Sequence, residues 1–523
     1  MKENKKSFRI PTMAETFSFP TIVAMTVVFT IIAGIISSEI NIIYSQVTQG
    51  VTDELIIKMI VLFVCYAVNN GLYRESTKTM RNLKMNDSFV KLFDRVSNSK
   101  LSDLTQIASG EIFNITYEIA DKESSIYCST IGCIPCIIPF FTLIWKEWQI
   151  RPLSAIISLA AVLINIIMSL FANKYFHFTS DVKAKKNKLQ SITVDNFMNI
   201  KALKYMHGIQ FARQRLINAQ NDVTPYFINR KQVWYFRLAD LIIWAPLILN
   251  IILNRDNLEL IALMVLCDYT LDNFRINICD IIEIKIERDV QYENFKKLDG
   301  SDIKEPDTID TLELKNVQFE YESTEHKEPV IFNVENVVLE KGKRYHVTGA
   351  SGEGKSSLAN LIIGAIHPTK GEVKPLKTYY VPADDSVLND TLKNNITLGD
   401  DRVTDEEIIE VMKAVDMYDW FTEQENGFET MLGERGARLS SGLKNRLNLV
   451  RTVIFMRLHH EENYIYLLDE ITANLNAEKE EIAIHAIDRE CNDTLITISH
   501  HGSFDQICEH HIVVKNHNIK MID

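Results

Sequence analysis

Tyr345-His-Val-Thr-Gly-Ala-Ser-Gly-Glu-Gly-Lys-Ser-Ser-Leu358 is the stretch on which the reading of this chain turns. It fits G-x-x-x-x-G-K-[ST], with an apolar run before it and a helical pattern, Ser357 to Ile366, after it, and that strand–loop–helix context is what the motif requires. Gly349, Gly352 and Gly354 let backbone N–H groups converge on phosphate oxygens, and Ala350, Ser351, Glu353 and Ser357 complete the loop. Lys355 supplies charge to terminal phosphates, and Ser356 is placed to hold Mg²⁺. The competing interpretation, a glycine-rich turn that only caps a helix, does not call for both flanking elements.

Working outward, Tyr464-Ile-Tyr-Leu-Leu-Asp-Glu-Ile-Thr472 reads as a buried strand ending in two acids. Asp469 at the strand end is placed to bind Mg²⁺, directly or through water, and Glu470 to act as general base on an attacking water. Thr494-Leu-Ile-Thr-Ile-Ser-His500 is another apolar strand whose polar end falls at the same edge of a parallel sheet, where ligands sit. The second half is therefore expected to be an α/β P-loop domain over residues 311–523, binding ATP and Mg²⁺.

The first half has a different texture. A chain of 523 residues is too long for one ordinary domain. Six apolar segments approach the roughly 20 residues a membrane-crossing helix needs. They are Pro20 to Ile43, Leu55 to Tyr73, Ile126 to Trp145, Leu153 to Phe176, Leu238 to Asn254 and Leu258 to Phe274. The second contains Lys58 and Asn69-Asn70, and the last two carry Asp240, Glu259 and Asp268 near or within them, at a cost unless such groups face a cavity. Short links join the first to the second, the third to the fourth and the fifth to the sixth, whereas Arg74 to Ser125 and His177 to Arg237 far exceed ordinary loops. These long stretches are helically patterned and basic (Lys183, Lys185, Lys186, Lys188, Lys201, Lys204, Arg213, Arg215), which places them on the cytoplasmic side or its organellar equivalent, with both termini. The reading is a tail over 1–19, an α-helical six-span membrane domain over 20–300, a polar linker over 301–310 and the nucleotide-binding domain beyond it.

Composition excludes some alternatives. The net charge of −13 argues against a dedicated nucleic-acid binder. The eight cysteines are scattered, and Cys128, Cys133 and Cys136 lie in an apolar stretch, where packing is favoured over redox or zinc chemistry. His459-His460, His500-His501 and His510-His511 offer no spacing that gathers three metal ligands, so only His500 is given a role.

Gly433-Glu-Arg-Gly-Ala-Arg-Leu-Ser-Ser-Gly-Leu-Lys-Asn-Arg446, with Arg451 beyond, resembles the signature segment of ATP-binding-cassette proteins, and its Gly-Glu-Arg-Gly start is similar to the exporter branch. The resemblance extends over essentially the whole chain and implies a half-transporter: a membrane domain plus one cassette, hydrolysing ATP to export a small-molecule or peptide cargo as a homodimer or heterodimer. It places Tyr321 on adenine and makes Asp469, Glu470 and His500 the magnesium-binding aspartate, catalytic glutamate and switch histidine. Leu439, Ser440, Ser441 and Gly442 would face the partner's ATP. Asp195-Asn-Phe-Met-Asn-Ile-Lys-Ala-Leu-Lys-Tyr-Met206 and Asn389-Asp-Thr-Leu-Lys-Asn-Asn-Ile-Thr-Leu-Gly399 resemble segments of mitochondrial iron-sulfur-related exporters. That finer resemblance implies a mitochondrial or mitochondrion-related inner membrane, with a plasma or other membrane as the alternative.

Departures from the family pattern modify these expectations. Ala383 stands where the family has a glutamine that contacts Mg²⁺ or the lytic water, Ser441 replaces a glycine, Leu443 a polar residue, and Asn476 an aspartate of the loop crossing the cassette dimer. The chain's own ATP-holding residues are thus intact, while what it lends a partner is altered. This favours a heterodimer with one competent and one weak site, and leaves open an ATP-binding but weakly hydrolysing regulatory subunit. Tyr175 and Thr179 fall where the iron-sulfur exporters carry glutathione-binding arginines, and neither pairs a carboxylate as arginine does.

Overall fold

Pro20 in the first turn of α1 (Phe19–Val47) opens the helical half of the chain, because proline tolerates that position and presets the helical φ. The structure, a computed structural model, describes residues 17–105, 107, 109–176, 179–227, 242, 244–296, 311–321, 330–371, 373, 377–383, 387–499 and 502–522. The chain divides into two units, residues up to 97 with 107–299, and residues 98–106 with 300–523.

In the first unit, Asp53 and Glu54 sit in the first turn of α2 (Asp53–Ser97), where acids suit the helix dipole. The short helix α3 (Leu101–Thr105) belongs to the second unit. The first unit continues with α4 (Ser109–Gly132), α5 (Ile134–Ile150), α6 (Pro152–Phe176), α7 (Thr179–Met198), α8 (Ile200–Tyr205), α9 (Ile209–Phe227), α10 (Trp244–Leu253) and α11 (Leu258–Phe295). Cys133 separates α4 from α5, ahead of a proline in the first turn of α5. Gly34 lets α1 approach α5 closely: a Cβ there would lie 3.2 Å from the Ile138 side chain. One turn on, the Ser38 and Thr142 hydroxyls bond across the same interface at 2.5 Å.

Among the described residues, three helices are long and apolar enough to cross a membrane: Phe19–Val47, Asp53–Ser97 and Gly110–Ile150. They contain the first three expected spans. The fourth, 153–176, falls within α6, where most side chains from 165 on lie outside the described residues, and the fifth, 238–254, lies partly outside them; the shorter apolar helices Pro152–Ile164 and Trp244–Leu253 represent them. The sixth lies within α11, whose Glu259, Asp268, Asp272 and Arg275 keep it out of the three. The expected linker 301–310 also lies outside the described residues. The face of α2 that carries Ile57, Ile60, Val61, Val64 and Val68 is more than half exposed at each of these residues. Water does not tolerate a contiguous apolar face of this kind, whereas lipid does.

The second unit is an eight-stranded sheet, in the order β1-β2-β8-β7-β3-β6-β5-β4, with helices against it. β1 (Thr311–Tyr321) and β2 (Val330–Glu340) form an antiparallel pair, and β7 (His510–Lys515) and β8 (Asn518–Ile522) form another. β3 (Arg344–Gly349), β6 (Thr494–Ile498), β5 (Ile465–Asp469) and β4 (Thr378–Val381) run parallel. β6 is buried along its whole length, as expected for a parallel strand covered on both faces. One apolar cluster joins the inner face of β1, β2 and β3 to Leu358, Leu361 and Ile362 of α12 (Lys355–Ile362). A second cluster joins Tyr466 and Leu468 of β5 to the helices that follow. Because the four parallel strands share one carboxyl edge, the phosphate loop after β3 and the acids ending β5 meet there.

Candidate nucleotide site

The phosphate loop owes its shape to two glycines with different duties. Gly349 leaves β3 so close to its neighbour that a Cβ would meet the Val514 carbonyl oxygen at 2.5 Å. Gly354 sits at φ +112°, where an added Cβ would run into the Phe332 ring, and serves as N-cap of α12 without any side-chain bond to the helix's first amides. Those amides are thus left to face an anion.

Lys355 follows and is buried, with Nζ donating to the carbonyls of Gly349 at 2.9 Å and Ala350 at 3.1 Å. The ammonium is folded over the loop it would share with phosphate. The Ala350 amide donates to Glu353 Oε2 at 3.2 Å, so the carboxylate occupies an anion position of the loop. Ser351 and Ser356 are exposed at its mouth, while Gly352 and Ser357 complete its course into α12.

Asp469 ends β5 and is almost fully buried. Its Oδ2 accepts from Ser356 Oγ and from the Tyr380 hydroxyl, each at 3.4 Å. Burial first, and then the charge of Glu470, push its carboxyl above the usual range, against the pull of Ser356, Tyr380 and Lys355. Two acids and a serine hydroxyl, with the nearest cation turned to its own loop, form a donor set that suits a divalent cation held by oxygen. Glu470 takes a left-handed φ of +53°, uncommon outside glycine, while its amide donates to the Ile498 carbonyl of β6 at 2.9 Å. The backbone thus leaves the β5 direction at Glu470 while staying bonded to β6.

Some expected residues are brought together here and others are not. Gly349 to Ser357, Asp469 and Glu470 share the carboxyl edge. Tyr321 ends β1 opposite Val330, but its side chain lies outside the described residues, as does His500. Ala383 is exposed just beyond β4. The signature is carried elsewhere: Leu439 is buried, Ser440 is the N-cap of α16 (Ser441–Leu458) with Oγ accepting from the Leu443 amide at 3.3 Å, and Ser441 and Gly442 form the first turn. α16 packs against α13 (Leu392–Thr397), against α14 (Asp405–Ala414), which the short α15 (Tyr418–Thr422) follows, and against α17 (Ala477–Glu490). Arg451 fixes it there, buried, with Nε donating to the Asn395 carbonyl at 2.7 Å. Asn476 caps α17, its Oδ1 accepting from the Lys479 amide at 3.0 Å.

The structure also reveals partners that sequence reasoning missed. His346 of β3 is wholly buried, with Nδ1 2.5 Å from Asp505 Oδ1 and Nε2 2.8 Å from Ser499 Oγ. With His511, these groups gather His346, Asp505 and His511 into one cluster, contrary to the expectation that no three ligands assemble. The expectation failed because it searched local spacing among histidine pairs, whereas the ligand set comes from β3, β7 and the turn between β6 and β7. Glu480 Oε1 accepts from Thr472 Oγ1 at 2.9 Å and Ser503 Oγ at 2.7 Å, tying the turn after Glu470 to the turn after β6. A Glu four residues into a charged helix gave no local signal for this.

Comparison with known proteins agrees with this geometry. Residues 332–473 match the ABC transporter family. Putative multidrug export ATP-binding/permease proteins of Staphylococcus aureus strains bovine RF122 / ET3-1 and NCTC 8325 / PS 47 are each 32% identical over 223 residues, 40% of this chain and 37% of the relative. The match thus spans well under half the length of these relatives. A bacterial Atm1-family ABC exporter with ATP bound shares the fold at a TM-score of 0.72 with 17% identity, over 96% of this chain and 94% of that one.

Proposed function

We propose that this chain is an ATP-hydrolysing half-transporter of the ABC exporter type, which pairs with a second copy or a related half-transporter to move a cargo across the membrane that holds its helices. The observation that carries the reading is the meeting of Lys355, Ser356, Asp469 and Glu470 at one sheet edge, in a chain whose other unit exposes an apolar helix face. On ATP binding, Lys355 exchanges the Gly349 and Ala350 carbonyls for phosphate oxygens, and the uncapped amides of α12 take the β-phosphate. Glu353 must release the Ala350 amide in the same step.

Ser356 and Asp469 would hold Mg²⁺, which supplies charge neutralisation between the terminal phosphates. Glu470 accepts the proton of the attacking water, its left-handed backbone setting the direction from which it does so. Ser440 and Gly442 meet the partner's nucleotide, and Ser441 and Leu443 make that half of the composite site the weaker one, which favours a heterodimer. The multidrug relatives support export of a small molecule without fixing which. Placement in a mitochondrion-related membrane rests on the resemblance of residues 195–206 and 389–399, while the relatives matched are bacterial.

Glu470→Gln in the full chain reconstituted with its partner tests the reading. Hydrolysis falls by about 10² to 10⁴, the usual worth of a general base, while ATP is retained. Unchanged turnover would remove Glu470 from the mechanism.

A further inference from the structure

The first unit contains a carboxyl group that the ATP cycle does not use. Glu147, in the last turn of α5, is fully buried. Its Oε2 accepts from Ser158 Oγ at 2.8 Å and Ser154 Oγ at 3.4 Å, both on α6. Its Oε1 is buried with no hydrogen-bond partner. The direction of the bonds is set by Asn250 of α10, whose Nδ2 can only donate and does so to Ser158 Oγ at 3.3 Å and to the Ser154 carbonyl at 3.1 Å. Ser158 keeps its own proton to give to Glu147 Oε2, which leaves Oε1 as the oxygen open to a proton.

Charge makes the same point. Arg151, one turn beyond Glu147, is committed to Asn254 Oδ1, the Leu253 carbonyl and Asp256. From α11, the titratable groups near Glu147 are acidic: Cys267 lies within electrostatic reach of both Glu147 and Asp268. From α6 and α10 the facing groups are the neutral Ser154, Ser158 and Asn250, and α1 meets α5 through the Ser38 and Thr142 hydroxyls. An ionised carboxylate here would be buried among hydroxyls, with one bare oxygen and with the guanidinium one turn away committed to other partners, a costly state for such a group in a membrane domain. A cavity of about 10 Å³, room for a single water, lies between Ser158, Asn250, Cys267 and Asp268. On the other side, Asn250, Asn254 and Arg151 form a hydrogen-bonded chain that ends at the exposed Asp256.

We propose that Glu147 is a proton-binding site of the membrane domain, neutral while α5, α6, α10 and α11 enclose it and releasing its proton to water by way of the Ser158 hydroxyl and the cavity beside it when those helices part. The site would make the helix rearrangement sensitive to pH on the membrane face where the α5–α6 link lies. The inference rests on the membrane reading of this unit but not on ATP hydrolysis, so it can fail or stand apart from the cassette's activity.

Infrared titration of the full chain in lipid nanodiscs tests it. The expected result is a protonated-carboxyl stretch that persists at neutral pH, where ordinary glutamates are ionised, and that disappears in Glu147→Gln. Because the amide mimics a neutral acid in shape and charge, Glu147→Gln should unfold thermally at or above the wild-type temperature, and Ser158→Ala should shift the infrared band without removing it. A spectrum without that band in the wild type, or one unchanged by Glu147→Gln, overturns the proposal. Saturable binding of Na⁺ that Glu147→Gln abolishes, with no protonated band, would also overturn it by making the site one for a metal cation.

Discussion

The phosphate loop and the signature segment are both serine- and glycine-rich turns that feed a helix N-terminus, and their ends are finished in opposite ways. α12 begins at Gly354, a left-handed residue with no side chain to offer, so its first amides stay unspent. α16 begins at Ser440, whose hydroxyl already accepts from the Leu443 amide. One end is built to receive an anion, and the other is partly satisfied by its own chain before any ligand arrives. The difference matches the sequence departures, because Ser441 and Leu443 stand on the end that we propose serves a partner.

Removing the charge from the open end should have the largest effect. Lys355→Ala deletes a charge-assisted contact to phosphate, and ATP affinity should fall about 10²-fold, the equivalent of roughly 2 to 3 kcal/mol for such bonds. Fluorescent nucleotide titration checks this. Affinity within twofold of the wild type would mean that the amides of α12 hold the phosphates without Lys355, and the contrast with α16 would then rest on backbone alone.

A backbone change at the same end comes next. Gly354→Ala places a Cβ against Phe332 in a left-handed conformation that only glycine adopts cheaply. The expected cost is about 1 to 3 kcal/mol of stability, seen as a lower unfolding temperature without nucleotide. An unchanged temperature would show that the loop relaxes around Phe332.

These two positions were legible because the loop is continuous in sequence, and so were Asp469 and Glu470, which end an apolar strand. What stayed hidden was contributed by distant chain. Tyr380 reaches Asp469 from β4, His346 meets Asp505 and Ser499 across three elements, and Glu480 bridges two turns. None of these has a local signature, since a buried histidine in a strand reads only as core. The membrane unit shows the same limit. Hydropathy outlined the apolar cores of three long helices and the helical patterning of Arg74 to Ser125 anticipated that α2 continues, but its end at Ser97 and that of α11 at Phe295 fall among polar residues that carry no local stop signal. Glu147 lies two residues beyond the third expected span, and its isolation is visible only in the packing.

At the signature end the effect is smaller. Ser440→Ala removes a helix cap and should cost about 1 kcal/mol of stability, measured by denaturant unfolding. If it costs nothing, the Ser440–Leu443 bond is incidental, and the two helix ends are more alike than their geometry suggests.

The smallest effect is expected at Asn476, which stands in place of the family's aspartate. Asn and Asp are nearly equal as N-caps, and Asn476 already satisfies the Lys479 amide. Asn476→Asp should therefore leave stability within about 0.5 kcal/mol, with a slight gain because a carboxylate suits the N-terminus of α17 and lies near Lys479, itself 2.7 Å from Asp416. Stability and turnover separate here. If ATP turnover of the chain with its proposed partner rises while the unfolding midpoint stays still, asparagine in place of aspartate acts on function at the side we propose faces the partner, and the asymmetry between the two helix ends extends to this loop. If both stay still, the departure at Asn476 is a neutral exchange of caps, and the weaker site is confined to Ser441 and Leu443.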